Sequence, residues 1–142
     1  MTEEQIYGRI GLVEHSFYKG KEYAIYTFCS HPCAYVLLNK KDPDFSKFYD
    51  DIDLSCHGGL TYSDFEYKDK IGWYSEGWVI GWDYAHIGDY RHWNKEKGYF
   101  SDLFRGEKNM IIKKHTVTSI RKDVKNVIDK LELKRNWKLM YK

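Results

Sequence analysis

One stretch of this chain reads as a helix from spacing alone. Ile120, Val124, Val127, Ile128 and Leu131 recur at the three- and four-residue intervals that line up one face of an α-helix. Lys122, Lys125, Asp129 and Lys130 fall on the opposite face, and Thr116 or Thr118 offers a side-chain oxygen where the first turn needs a cap. A helix with one apolar stripe must lay it against another layer. The rest of the chain offers strand-length apolar runs for that layer, so the helix calls for a sheet.

Glu22 to Cys29 places Tyr23, Ile25 and Thr27 on one side and Ala24, Tyr26 and Phe28 on the other. Both sides are largely apolar or aromatic, which predicts a central strand. Arg9 to Glu14 is a shorter run, and the polar turn Lys19-Gly20-Lys21 makes the pair an antiparallel hairpin. Ala34 to Leu38, Ile52 to Cys56, Leu60 to Ser63 and Trp78 to Trp82 are further extended segments, the last the best-defined buried strand. Asp42-Pro43-Asp44 reads as a turn, Phe45 to Tyr49 as one short helical turn, and Gly58-Gly59 as a break. Tyr67 to Gly77 reads as a polar excursion, and Tyr84 to Arg105 as a long loop without periodicity. The expected fold class is α+β, an antiparallel sheet with the C-terminal helix packed on one face. A length of 142 residues suits a single domain, 1–142, with one core.

Composition narrows the function classes. The formal net charge is +2, which gives no overall attraction for nucleic acid, and none is expected as a partner. The charge is uneven, with a basic tail from Lys108 to Lys142 and an acidic stretch from Asp42 to Asp53. The tail reads as a solvated helix face that could also supply counter-charge to a phosphorylated ligand. No stretch is long and apolar enough to span a bilayer, so no membrane partner is expected. The start Met1-Thr2-Glu3-Glu4 is acidic where a signal peptide is basic, and the expected location is the cytoplasm. Cys29, Cys33 and Cys56 are an odd set, which argues against a disulfide framework. Whether the chain forms a homo-oligomer is left open.

Two segments concentrate polar chemistry. Cys56-His57-Gly58-Gly59-Leu60-Thr61-Tyr62-Ser63 pairs glycines that permit positive φ with the polar side chains of His57, Thr61 and Tyr62. Such a turn can present backbone N–H groups to an anion, or be a plain bend between strands. Gly81-Trp82-Asp83-Tyr84-Ala85-His86-Ile87-Gly88-Asp89-Tyr90 follows the buried strand and spaces Asp83, His86 and Asp89 three residues apart. An Asp-His pair can do general acid–base work or ligate a metal. It can equally staple a turn, with Asp83 capping backbone N–H groups. Cys29-Ser30-His31-Pro32-Cys33 with Cys56-His57 collects zinc-type ligands, but no second paired knuckle follows. No metal ligand set and no cofactor are therefore assigned. His15, His92 and His115 have no evident partners and are expected at the surface.

The two blocks together resemble a family of small proteins of bacteriophages, prophages and related bacterial genomes. Similar members carry a His-Gly-Gly-aliphatic-Thr block followed by a Gly-aromatic-Asp-x-Ala-His-x-Gly-Asp block. The resemblance covers roughly residues 30 to 90. Where the family has a cysteine after the aromatic-Asp pair this chain has Tyr84, which weakens a thiolate–metal idea there. The resemblance implies a phage-type setting, in which small accessory proteins counter host defence, some by binding or cleaving nucleotide signals.

The first functional expectation is a binder of a small nucleotide-like or phosphorylated ligand, sequestering a host defence signal. Trp82, Tyr84 and Tyr62 would stack on a flat base, and the Gly58-Gly59 turn would meet a phosphate. Arg91 or Arg105 would supply counter-charge, while His57, Thr61 and Asp83 orient the ligand, with His86 beside them. The alternative is a small hydrolase of the same ligand. There His57 or His86 is the acid or base, Asp83 or Asp89 orients it, and a divalent metal is an option. A protein–protein inhibitor of a host enzyme is the third reading. For either of the first two, His57, Thr61, Asp83 and His86 are expected to converge.

Overall fold

The computed structural model describes residues 6–66, 73, 76–86, 88–90 and 113–140, with Glu66 and Leu139 described by backbone alone. The strands are β1 (Ile10–Tyr18), β2 (Lys21–Phe28), β3 (Pro32–Leu38), β4 (Tyr62–Glu66) and β5 (Gly77–Asp83). A long helix, α1 (Val117–Met140), ends the described chain. The strands form one antiparallel sheet in the order β1-β2-β3-β5-β4, and α1 packs across β1, β2 and β3. The fold is α+β, an antiparallel sheet with the C-terminal helix on one face.

The stripe read from the sequence is what α1 buries. Ile120, Val124, Val127, Ile128 and Leu131 are each at most 1% exposed and meet Ile25, Val36, Ile80 and Trp82 from the sheet. Thr116 is the cap. Its hydroxyl accepts the Ser119 N–H at 3.1 Å, and the Ser119 hydroxyl accepts the Thr116 N–H at 3.0 Å. Thr118, the other capping candidate, lies inside the helix.

The sheet's second face is covered in part. Ala24, Leu37 and Val79 pack there with Trp73, which is 1% exposed. Trp73 belongs to the segment expected to be a polar excursion, so at least this residue of it is core. The remainder of 67–75 lies outside the described residues.

Three boundaries depart from expectation for identifiable reasons. β1 runs on to Tyr18 because it is an edge strand with a register shift between Leu12 and Glu14, and the shift breaks its alternation. Ile52 to Cys56 does not join the sheet. Its alternation arises because Ile52, Leu54 and Cys56 face the helix core without strand pairing. The short helical turn expected over Phe45 to Tyr49 appears as a 3-10 turn at Tyr49–Asp51.

Lys21, expected in a polar turn, opens β2 and is only 5% exposed. Its ammonium donates to both oxygens of Asp42, at 2.9 and 2.8 Å, and Asp42 is 2% exposed. Asp42 also accepts the Asn39 N–H at 2.9 Å, which ties the loop after β3 to the start of β2. Cys29, Cys33 and Cys56 are all free thiols. Among the described residues no helix is long and apolar enough to cross a membrane.

Candidate functional site

Two glycine turns bring the motif blocks together. In the first, the Gly59 N–H donates to the Cys56 carbonyl at 3.1 Å, and Gly58 takes φ +68°. Positive φ at the third position of such a turn suits glycine, and it leaves His57 at the outer corner. Gly58 is also sterically committed, since a Cβ there would stand 2.1 Å from the His86 ring. In the second turn the Asp89 N–H donates to the His86 carbonyl at 2.9 Å, with Gly88 at φ +93°. Backbone bonds between 88–90 and Lys113 (Lys113 N–H to Gly88 O at 2.7 Å, Tyr90 N–H to Lys113 O at 2.8 Å) then hold this turn beside the approach to α1.

The result is a carboxylate between two imidazoles. Nε2 of His57 lies 3.0 and 2.8 Å from the two oxygens of Asp89. Nε2 of His115 lies 2.7 Å from Asp89 Oδ1, and the His86 N–H donates to Oδ2 at 3.1 Å. Burial alone pushes the Asp89 pKa up. The bonds from His57, His115 and the His86 backbone outweigh it, and hold the carboxyl below its ordinary 3.8.

The rings are fixed by their surroundings. His57 stacks on Tyr84 with centroids 4.5 Å apart and planes at 18°, and His115 meets both rings at 4.9 and 4.6 Å. The Tyr84 hydroxyl accepts from Trp82 Nε1 at 3.0 Å and donates to Asp123 of α1 at 2.8 Å. The His115 N–H donates to the Tyr7 hydroxyl at 3.0 Å. His115, placed at the surface by the sequence reading, is thus a buried member of the centre, 4% exposed. His15, expected there too, is packed against Glu22 with its side chain 9% exposed. His92 lies outside the described residues.

His57, Thr61, Asp83 and His86 do come together. The Thr61 hydroxyl donates to Asp83 Oδ2 at 3.1 Å, His86 Nε2 stands 3.2 Å from Asp83 Oδ1, and the His57 and His86 rings are 5.9 Å apart. The His86–Asp83 approach is not aligned for a hydrogen bond, and His86 Nε2 is buried without one. Asp83 Oδ1 instead accepts the Ala85 N–H at 3.0 Å, which is the turn-capping role.

The stacking expectation for Trp82 and Tyr84 is corrected. Both are core residues, 1% and 0% exposed, and the face Tyr84 offers is taken by His57. β5 is apolar on both sides, so its alternation could not show that Trp82 points under the helix. Tyr62 lies elsewhere, edge-on to Tyr35 at 5.5 Å. Gly58 is filled against by His86, so of the two glycines only Gly59 has open space beside its backbone. Arg91 and Arg105 lie outside the described residues.

Two clefts flank these groups. One, of about 300 Å³, is lined by His57, Ser55 and Cys56 and, from α1, Asp123, Asn126 and Lys130. The other, of about 340 Å³, lies by Tyr35, Thr61, Tyr62 and Asp83. The ligand residues expected to share one pocket are therefore divided between two. Burial pushes the Cys56 thiol up to about 11, so it stays protonated near neutral pH and is no ready nucleophile. The cysteine–histidine zinc grouping does not assemble. Among the described residues the group with converging metal-type ligands is His57, Asp89 and His115.

The carboxylate's position has a consequence in acid. A carboxyl held below 3.8 stabilises the fold while ionised. That contribution is complete above the unfolded value and drains away as pH falls through the folded one. Denaturation midpoints should therefore drop on acidification below about pH 4, and Asp89→Asn should show a shallower loss over that range. Identical acid profiles for the two proteins would contradict the placement of Asp89. No family model, curated protein or solved structure matches this chain.

Proposed function

We propose that the chain is a small hydrolase of a phosphorylated, nucleotide-like molecule, with the His57–Asp89–His115 cluster as its reaction centre. One observation carries this reading. His57 is pinned through Nε2 to Asp89 while it lines an open cleft, with its side chain 29% exposed. With Nε2–H given to the carboxylate, the lone pair sits on Nδ1, which has no hydrogen-bond partner among the described residues. An imidazole so oriented can take a proton from a water or hydroxyl in the cleft. Asn126 and Lys130 line the same cleft from α1; the Lys130 ammonium donates to the Ser55 carbonyl and hydroxyl, both at 2.9 Å, and so places a cation at the cleft wall for an anionic group. The cleft's volume is at the lower end for ligand pockets, which suits a small ligand.

Sequestration without turnover is the second reading. It is favoured by Asp83, which lines the other cleft and caps the Ala85 N–H, and by the Gly58 turn, which packs on His86, so that neither adds a second titratable group to the His57 cleft. In a phage-type setting the ligand would be a host defence signal.

The test incubates nucleoside phosphates and cyclic nucleotides with wild type and His57→Ala. Product is measured separately from ligand released intact by heat. Wild type should form product, and His57→Ala should lose turnover by roughly 100-fold or more with its melting transition retained. Intact ligand without product would select sequestration. Product formation that His57→Ala leaves unchanged would remove His57 from the chemistry.

A further inference from the structure

We infer that His57, Asp89 and His115 form a binding site for one divalent transition-metal ion. The inference rests on the cluster being the reaction centre, and names what activates water there. The donor set has the right chemistry. It offers two neutral-type nitrogen ligands and one carboxylate oxygen, a combination that binds zinc or iron(II) and leaves coordination positions for water and substrate.

The geometry is close to what an ion needs. One ligand atom from each residue lies within 4.8 Å of the others. Both Nε2 atoms already address the same carboxylate, at 2.8 and 2.7 Å. Around a tetrahedral ion with bonds near 2.0–2.1 Å, ligand atoms stand about 3.3 Å apart. The two nitrogen–carboxylate approaches must therefore open by about half an ångström. The two Nε2 atoms, within 4.8 Å of each other, must settle to the same spacing, and each imidazole must carry its proton on Nδ1 so that Nε2 is free for the ion.

The three residues are held from outside the cluster. Asp89 Oδ2 is held by the His86 N–H, and the Asp89 backbone is fixed by the Gly88 turn and its pairing with Lys113. His115 is anchored through its N–H to Tyr7, and Tyr84 backs the His57 ring. Such contacts hold the three residues together before an ion arrives. Of the three ligands His57 also lines the 300 Å³ cleft, which puts the edge of the cluster beside the place where a small ligand fits.

The cysteines play no part, since none joins the group. Once the ion is bound, His57 becomes a ligand. The ion then lowers the pKa of its water, and a free imidazole base is no longer required.

The experiment uses untagged, full-length protein stripped with chelator and titrated with Co(II) and with Zn(II). Bound metal is measured by elemental analysis, and Co(II) coordination by its visible absorption bands. Wild type should bind about one equivalent of either ion, with Co(II) bands of a low-coordinate nitrogen–oxygen site. His57→Ala and Asp89→Asn should each weaken binding roughly 100-fold or more, beyond the loss expected when only a ligand's hydrogen-bond partner is changed. His57→Ala keeps the test independent of folding, because its side chain is the most exposed of the three.

Absence of stoichiometric binding, or binding that both variants retain, would overturn the inference. So would hydrolysis at full rate by chelator-stripped protein, which would leave the hydrolase reading intact. Metal bound at these residues with no hydrolysis of any nucleotide would sustain the inference and remove the hydrolase reading instead.

Discussion

Val127→Asp should leave this protein unfolded or melting far below wild type. Val127 is 1% exposed and sits in the stripe of α1 that faces the sheet. The substitution loses the burial of an apolar side chain, roughly 1.5–3 kcal/mol. It also places a carboxylate among Ile, Val and Leu side chains, where it must stay protonated or force the helix away. The sum exceeds about 4 kcal/mol, a large share of the 5–15 kcal/mol that holds a domain together. Asn126, the preceding residue, is exposed. Asn126→Asp adds the same charge one position away and should alter stability by no more than about 0.5 kcal/mol. Thermal and urea denaturation of the pair gives the comparison. A Val127→Asp protein that melts with wild type would mean that α1 does not pack through this face.

Asp42→Ala should be nearly as damaging, by a different route. The Lys21–Asp42 pair is enclosed, with side chains 4% and 0% exposed. Removing the carboxylate strands an ammonium inside the protein and frees the Asn39 N–H. Breaking one half of a buried pair costs roughly 3–5 kcal/mol. Replacing both halves with apolar groups strands no charge. Lys21→Met with Asp42→Leu should therefore recover most of the loss, and a double-mutant cycle on chemical denaturation measures it. If Asp42→Ala alone is within about 0.5 kcal/mol of wild type, the pair is solvated rather than buried.

These two positions also show what the sequence can disclose. Val127 belongs to a period of three and four, and that period reports burial directly, so the helix and its face were legible. Lys21 and Asp42 were read as turn residues because single-residue chemistry favours that. Their enclosure depends on the loop after β3 folding back onto β2, a contact between residues 21 apart.

The candidate site divides along the same line. The glycine turns at Gly58 and Gly88 were legible, as was the meeting of the two blocks they carry. The partners of Asp89 are legible only in part. The hydrolase reading leaves Asp83 or Asp89 to orient His57 or His86; the Asp89 side chain reaches His57, 32 residues distant, and also His115, 26 residues distant, which that reading leaves out. His115 had one signal that could have raised it. It directly precedes Thr116, the cap of the C-terminal helix, and a residue there is held rigidly at an element's end. The rings of Trp82 and Tyr84 read as stacking platforms from the sequence because a two-sided apolar strand does not reveal which layer each ring enters.

The pairing of Lys113 with 88–90 has a consequence for how such a chain can vary. The Tyr90 N–H meets the Lys113 carbonyl at 2.8 Å, so two points 23 residues apart in sequence stand side by side. The separation of Asp89 and His115 is therefore set by a short bridge of backbone bonds and not by the number of residues between them. Between ends that are already joined, each doubling of chain length costs only about 0.6 kcal/mol of closure entropy. The centre should accordingly tolerate a change in that number as long as 88–90 and Lys113 stay paired.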